Sequence, residues 1–271
     1  LTPEAAAAIG LETTTATPMD IMTAILKAPV DLLWFGGIGT YIRATSETDA
    51  DAGDRANDAI RINAQDVRAV VIGEGANLGI TQKARIAMGR QGVRLNTDFI
   101  DNSAGVDCSD HEVNIKILLT HVMQDKSNDM DRPARDKLLE TMTNAVAALV
   151  LRDNYQQGQA ITLVQMKGPE LLPAHSLAMD RLQAGYGLNR KIEYLPGPKD
   201  IAERQHMGQG LTRPEIAVLV SYAKMALTKD IVNSDIPDQP YAAIWLETYF
   251  PDALRKPYAA AIAQHPLRRE I

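Results

Sequence analysis

The hydrophobic pattern of this chain changes rhythm once, near residue 109. Before that point short apolar runs alternate with helix-like segments. VDLLWF at residues 30–35, VRAVVI at 67–72 and VRL at 93–95 are rich in β-branched and aromatic residues and read as strands. Helical signals lie between and before them. Thr2-Pro3-Glu4 opens an alanine-rich helix with Gly10 as its stop. Thr17 stands as N-cap to a second helix with Pro18 at its first position, where a missing N–H costs nothing. Ala28 precedes Pro29, which pushes it out of helical geometry and closes that helix. Residues 82–88 form a further helical pattern, stopped at Gly89 or Gly92. Residues 44–58, small and acidic, read as a surface loop or a short solvated helix. Strands spaced in this way predict parallel βαβ units, here with a sheet of only three strands.

Beyond residue 109 strand signals become sparse. Val113, Ile115, Ile117, Leu118 and Val122 predict one apolar face of a long helix. Residues 133–151 place Leu138, Leu139, Met142, Val146, Leu149 and Val150 close to the helical period. Thr212 and Glu215 have capping-box spacing at the start of a helix reaching to about Thr228. The expected fold class is therefore α/β, a partial Rossmann-like parallel sheet with helices, followed by a mostly α-helical domain. There is no internal repeat.

Composition narrows the function. The 34 acidic residues exceed the 28 basic ones, and the resulting charge of −6 argues against nucleic acid as a partner, because phosphate binding needs clustered Lys and Arg. The single cysteine, Cys108, excludes an internal disulfide and fits a reducing, cytoplasmic compartment. It reads as a small buried residue, since no basic partner is evident. No apolar stretch approaches the roughly 20 residues that span a bilayer, so no membrane association is expected. His111 and His121 do not stand at a metal-ligand spacing, and no Cys/His cluster exists, so no metal is expected. The first residue is Leu1 and the last are Arg-Arg-Glu-Ile within an amphipathic stretch, so both ends read as cut from a longer polypeptide.

Three stretches carry candidate chemistry. Gly73-Glu-Gly75-Ala-Asn-Leu-Gly79 follows a strand and resembles the G-x-G-x-x-G phosphate loop. Its third glycine falls one position late, and Glu74 would set a carboxylate beside a pyrophosphate. A structural β-turn is the other reading. Asp98, about 20 residues on, stands where a ribose-binding acid would. Gly36-Gly37-Ile38-Gly39 is a second post-strand loop, again either a tight turn or a ligand contact. Residues 96–112 join a strand end to a helix. Ser109 and Glu112 have S-x-x-E spacing, which is either a capping box or a helix start that holds an anion beside a serine hydroxyl. Asn102 offers an amide donor and acceptor, a fit to a nicotinamide carboxamide.

Taken in order, Glu74-Gly75-Ala76-Asn77, Thr81, Asp98-Phe99, Asn102-Ser103-Ala104-Gly105-Val106, Ser109 and Glu112 resemble the core of the glutamate dehydrogenases. LLWFGGIGTYIRA, GEGANLGITQ and TDFIDNSAGVDCSDHEVNIKILL are similar to the large NAD-specific bacterial branch. The likeness covers residues 1–125, the closing part of an NAD-binding Rossmann-like domain, and residues 126–271 resemble a truncated helical C-terminal domain.

The resemblance implies oxidative deamination of L-glutamate to 2-oxoglutarate and ammonia, with hydride passed to NAD, by a homo-oligomer. Gly37, Glu74, Gly75, Asn77 and Asn102 are assigned to cofactor binding, and Ser109 to a substrate carboxylate. Thr97, Ser103 and Ala104 depart from the family's proline, alanine and glycine, and Leu78-Gly79-Ile80 from its Gly-Pro-Thr type of sequence. The family's catalytic lysine and aspartate and its dinucleotide fingerprint match nothing here, so no catalytic residue is assigned. The expectation is that they lie upstream and that the chain alone is inactive. A dehydrogenase for branched or aromatic amino acids, or a helical assembly or regulatory module, are the alternatives.

Overall fold

The computed structural model describes residues 1–125 and 128–271. The expected domain boundary between residues 125 and 126 falls at the edge of the two residues outside that description. The first part holds β1 (Leu32–Phe35), β2 (Ile42–Arg43), β3 (Ile62–Asn63) and β4 (Val71–Glu74). Its helices are α1 (Pro3–Ala8), α2 (Pro18–Lys27), α3 (Asp49–Ala52), α4 (Gln82–Arg90) and α5 (Asp98–Asp101). Helices follow throughout: α6 (Ser103–Gln124), α7 (Arg132–Met166), α8 (Leu172–Gly185), α9 (Pro198–His206) and α10 (Arg213–Val232). The last are α11 (Ala243–Tyr249), α12 (Asp252–Arg255) and α13 (Ala259–Ala263). An α/β beginning followed by a helical region is thus observed.

The chain divides into two compact units, Leu1–Asn102 with Gln157–Tyr222, and Ser103–Gln156 with Ala223–Ile271. In the first unit β1 and β4 pair in parallel, Trp34 standing opposite Gly73. Arg94 bridges Val71, and its backbone exchanges hydrogen bonds of 3.0 and 2.9 Å with Val70 and Ile72. Of the expected three-stranded sheet, two strands are observed, the second at 71–74 rather than 67–72; the third, at 93–95, is reduced to an isolated bridge. A second parallel pair, β2 with β3, is joined by a bridge from Ile42 to Ile80. The pattern of the sequence misses it because two-residue strands carry no periodicity.

Leu33 and Phe35 point into a core shared with Ile42, Ile62, Ile72, Ile80 and Met88, while Leu32 and Trp34 face outward. The helix starts follow local chemistry. Thr17 and Asp20 form a reciprocal capping box on α2, and residues 44–58 contain the short α3, capped by Thr48 and Asp51. Thr212 Oγ1 and its amide both donate to Glu215. That carboxylate also takes a bidentate pair of bonds from buried Arg204 at 2.9 and 2.7 Å, so the capping box of α10 anchors α9 as well.

In the second unit Ile115, Leu118 and Leu119 of α6 pack with Met142 of α7 and with Phe250, Leu254 and Ile262. Two expectations for α6 change. Val113 is exposed, and His111 takes the inward position one turn before Ile115. Cys108 is exposed on α6 rather than buried. No helix among the described residues is long and apolar enough to cross a membrane.

His265 closes this core. Its Nδ1 accepts from the Leu267 amide at 3.1 Å, which places its proton on Nε2, 3.1 Å from the Asn114 carbonyl it donates to. Burial pulls its pKa below the ordinary 6.5, and His175 shifts the same way for the same cause. A histidine whose folded pKa is depressed binds fewer protons folded than unfolded. Its contribution to stability is then full above 6.5 and is lost as pH falls through that value towards the folded pKa. The thermal midpoint is expected to fall between about pH 7 and pH 5.5. His265→Gln should flatten that slope; an unchanged slope in the variant would show that His265 does not contribute.

Candidate functional site

The turn after β4 is built around a buried ion cluster. Glu74, 1% exposed, ends the strand and points inward. Arg85 of α4 donates to it through Nε and Nη2, both at 2.7 Å. The same guanidinium lies 3.2 Å from Asp98 Oδ1. Asp98 Oδ2 accepts the amide of Leu78 at 2.7 Å, and Asp101 Oδ2 accepts the amide of Glu74 at 3.0 Å. Both ends of the Glu74–Leu78 turn are therefore tied to the short helix α5. Leu78 has φ +64°, a left-handed conformation that a side chain adopts only when its surroundings fix it.

A further chain of bonds supports Asp101. Asn96 donates to its Oδ1 at 2.8 Å, and Arg213 at the start of α10 donates to Asn96 at 3.0 Å. Burial pushes the carboxyls of Glu74 and Asp101 up, opposed for Glu74 by the hydrogen bonds and charge of Arg85. Burial acts on the Arg85 guanidinium in the opposite sense, and its acidic neighbours outweigh it and hold the group charged. The two-point geometry is that of a carboxylate facing a guanidinium. Asp98 is committed to Arg85 and the Leu78 amide within this buried cluster, which removes it as a ribose-binding acid.

The three glycines have structural reasons. A Cβ on Gly73 or on Gly75 would come within 2.5 Å of the Trp34 indole, which lies across both. A Cβ on Gly79 would meet Glu74 Oε1 and Phe35 at 3.2 Å. The late third glycine, which breaks the phosphate-loop spacing, sits where the turn passes over the buried carboxylate. Of the two readings of this loop, the structural turn accounts for every glycine in it.

What the turn presents outward is Asn77. Its Oδ1 accepts a hydrogen bond from Asn102 Nδ2, at the end of α5. Among the described residues the Asn77 Nδ2 and the Asn102 Oδ1 have no side-chain partner, so a donor stands beside an acceptor. That pair complements a primary carboxamide or a sugar hydroxyl. Gly37 lies in the exposed loop after β1, where a Cβ would meet nothing within 4 Å. Glu74 offers a ligand only its backbone, its side chain being bound to Arg85.

Ser109 is placed differently from the geometric expectation. The helix begins at Ser103, so Ser109 and Glu112 lie inside α6, and the S-x-x-E spacing marks no helix start. Glu112 instead pairs with Lys116 one turn on. Ser109 is exposed on the second turn of α6 and belongs to the second unit, whereas Asn77 and Asn102 belong to the first. The sequence reading missed Arg85 and Asp101. Only an arginine on an otherwise buried helix face, Ala84-Arg85-Ile86 with Met88, could have signalled the first.

Two family models match the chain. One describes the bacterial NAD-glutamate dehydrogenase catalytic domain and matches residues 1–164. The other describes the glutamate dehydrogenase C-terminal region and matches residues 208–271. Proteins named NAD-specific glutamate dehydrogenase are similar throughout. The one from Pseudomonas aeruginosa is 48% identical over 271 residues, all of this chain and 17% of its own length. That from Mycobacterium tuberculosis is 50% identical over 254 residues, 94% of this chain and 16% of its own. That from Halomonas elongata is 42% identical over 271 residues, 100% of this chain and 17% of its own. The chain thus spans about a sixth of the length of these relatives.

The glycine turn is testable by itself. Gly75→Ala should destabilise the chain by about 1–3 kcal/mol through collision with the indole. In a Trp34→Ala background the same change should cost much less, a coupling that a double-mutant cycle of unfolding free energies measures. Additive losses would mean that Trp34 is not what requires the glycine.

Proposed function

The chain belongs to the bacterial NAD-glutamate dehydrogenase family, and we propose that it supplies the nicotinamide side of the cofactor site and one substrate contact to an NAD-dependent oxidative deamination of L-glutamate. The observation that carries this reading is the Asn77–Asn102 pair. It is held outward by the buried Glu74–Arg85–Asp98 cluster, on a turn whose sequence is the family's. The donor and acceptor that the pair leaves fit the nicotinamide carboxamide or its ribose. A site fixed by a rigid buried network loses little entropy when the cofactor docks.

In this reading residues 1–125 are the closing part of a Rossmann-like NAD-binding domain, and the residues beyond form a helical domain. The parallel pairing of β1 with β4 and the Arg94 bridge support the first assignment. Gly37 lines the cofactor's approach, and Glu74 and Gly75 contribute through the backbone. Ser109 binds a carboxylate of glutamate through its hydroxyl; this rests on the family motif, since no helix terminus assists it. The products are 2-oxoglutarate and ammonia, and NAD supplies hydride acceptance when bound. A cytoplasmic homo-oligomer is the working assembly. The lysine and aspartate that would handle protons belong to sequence outside these residues, so the chain alone turns over no glutamate.

The roles separate kinetically in the full-length enzyme. Asn102→Ala and Asn77→Ala should raise KM for NAD about 5- to 10-fold and leave KM for glutamate nearly unchanged, as the loss of one hydrogen bond predicts. Ser109→Ala should do the reverse. If both asparagine variants shifted KM for glutamate alone, the cofactor assignment would fail.

A further inference from the structure

A second cluster of chemical groups lies wholly in the second unit and takes no part in the proposed reaction. Asp107 and His111 stand one turn apart on α6, and Asp153 faces them from α7. One ligand atom from each lies within 4.8 Å of the others. His111 is 1% exposed, yet among the described residues neither of its ring nitrogens has a hydrogen-bond partner, and Asp107 Oδ2 is likewise buried and unpartnered among them. The nearest carboxylate oxygen, Asp107 Oδ1, is 4.0 Å from His111 Nε2, too far for a hydrogen bond.

The ring is held in place by stacking. Tyr249 lies against it with centroids 4.4 Å apart and planes 21° from parallel, and the Tyr249 hydroxyl accepts from Asn114 at 2.8 Å. A bond of 2.9 Å from Asn154 to Ser103 joins the same two helices beside the cluster. A buried imidazole without partners carries a desolvation cost that only a ligand or a proton acceptor offsets.

We propose that Asp107, His111 and Asp153 form a binding site for a divalent first-row cation, Zn²⁺ foremost, which fastens α6 to α7. Imidazole and carboxylate together suit such ions. Bonds of about 2.0–2.2 Å in a tetrahedral shell put donor atoms about 3.4 Å apart. The present spread reaches that value by rotation of the two partly exposed carboxylates, while the stacked imidazole stays fixed. Three protein ligands leave a position for water.

Two basic side chains compete for the same charge. Arg152 donates to Asp153 Oδ1 at 2.9 Å, and Lys224 of α10 interacts electrostatically with Asp107. Burial draws the Lys224 ammonium below its usual range, opposed by Asp107.

The test uses the whole chain stripped of metal with a chelator, then titrated with Co²⁺ by visible absorption and with Zn²⁺ against a chromophoric chelator. One ion per chain is expected, with a d–d spectrum of nitrogen–oxygen coordination. Asp107→Asn and Asp153→Asn, both at partly exposed positions, should each weaken binding at least about tenfold with an unchanged circular dichroism spectrum. Failure of either ion to bind the wild-type chain, or equal binding by both variants, would overturn the site. Either result would leave Arg152 and Lys224 as the cluster's counter-ions.

Discussion

The glycine-rich turn after β4 depends on one buried guanidinium. Arg85 reaches from α4 to hold Glu74 at the end of β4 and Asp98 at the start of α5. The strand, the turn after it and the helix that follows are thereby fixed to one group. Removing one partner of such a buried pair typically costs about 3–5 kcal/mol, because the other charge is left in low dielectric. That sensitivity accompanies a benefit in position: the amides of Glu74 and Leu78 are bound at both ends of the turn. Asn77 between them stands at the surface, its Oδ1 accepting from Asn102.

This arrangement explains why the loop imitates a phosphate cradle. Both need a strand end, glycines and a sharp turn. Here the glycines yield space to protein rather than to a pyrophosphate: Gly73 and Gly75 to the Trp34 indole, Gly79 to the Glu74 carboxylate. A carboxylate between two glycines is hostile to a phosphate only if it points at it, and Glu74 points the other way.

Local signals in the sequence were reliable where the chemistry is local. The caps at Thr2, Thr17 and Thr212 act within three residues, and helices start at all three. The same reasoning failed at Ser109, because S-x-x-E spacing also occurs within a helix, where Glu112 has Lys116 as a partner. The strand at 71–74 was placed early because VRAVVI reads as a continuous β run, whereas its interstrand hydrogen bonds begin only at Val70, bonded to Val30. Long-range pairings left no trace that one sequence could show. Arg85 is eleven residues from Glu74 in the chain and Arg213 is far from Asn96, and neither separation follows a periodicity. His111 occupies a core position one turn before Ile115, and its four-residue spacing from Asp107 gives no sign of Asp153, which comes from the next helix.

Arg85 holds the turn in place, and amide hydrogen exchange in an Arg85→Met variant tests this. The amides of Glu74 and Leu78 should lose protection while that of Ile72, bonded to the Arg94 carbonyl at 2.9 Å, keeps it. Unchanged protection at Glu74 and Leu78 would contradict the claim and leave the orientation of Asn77 without a cause.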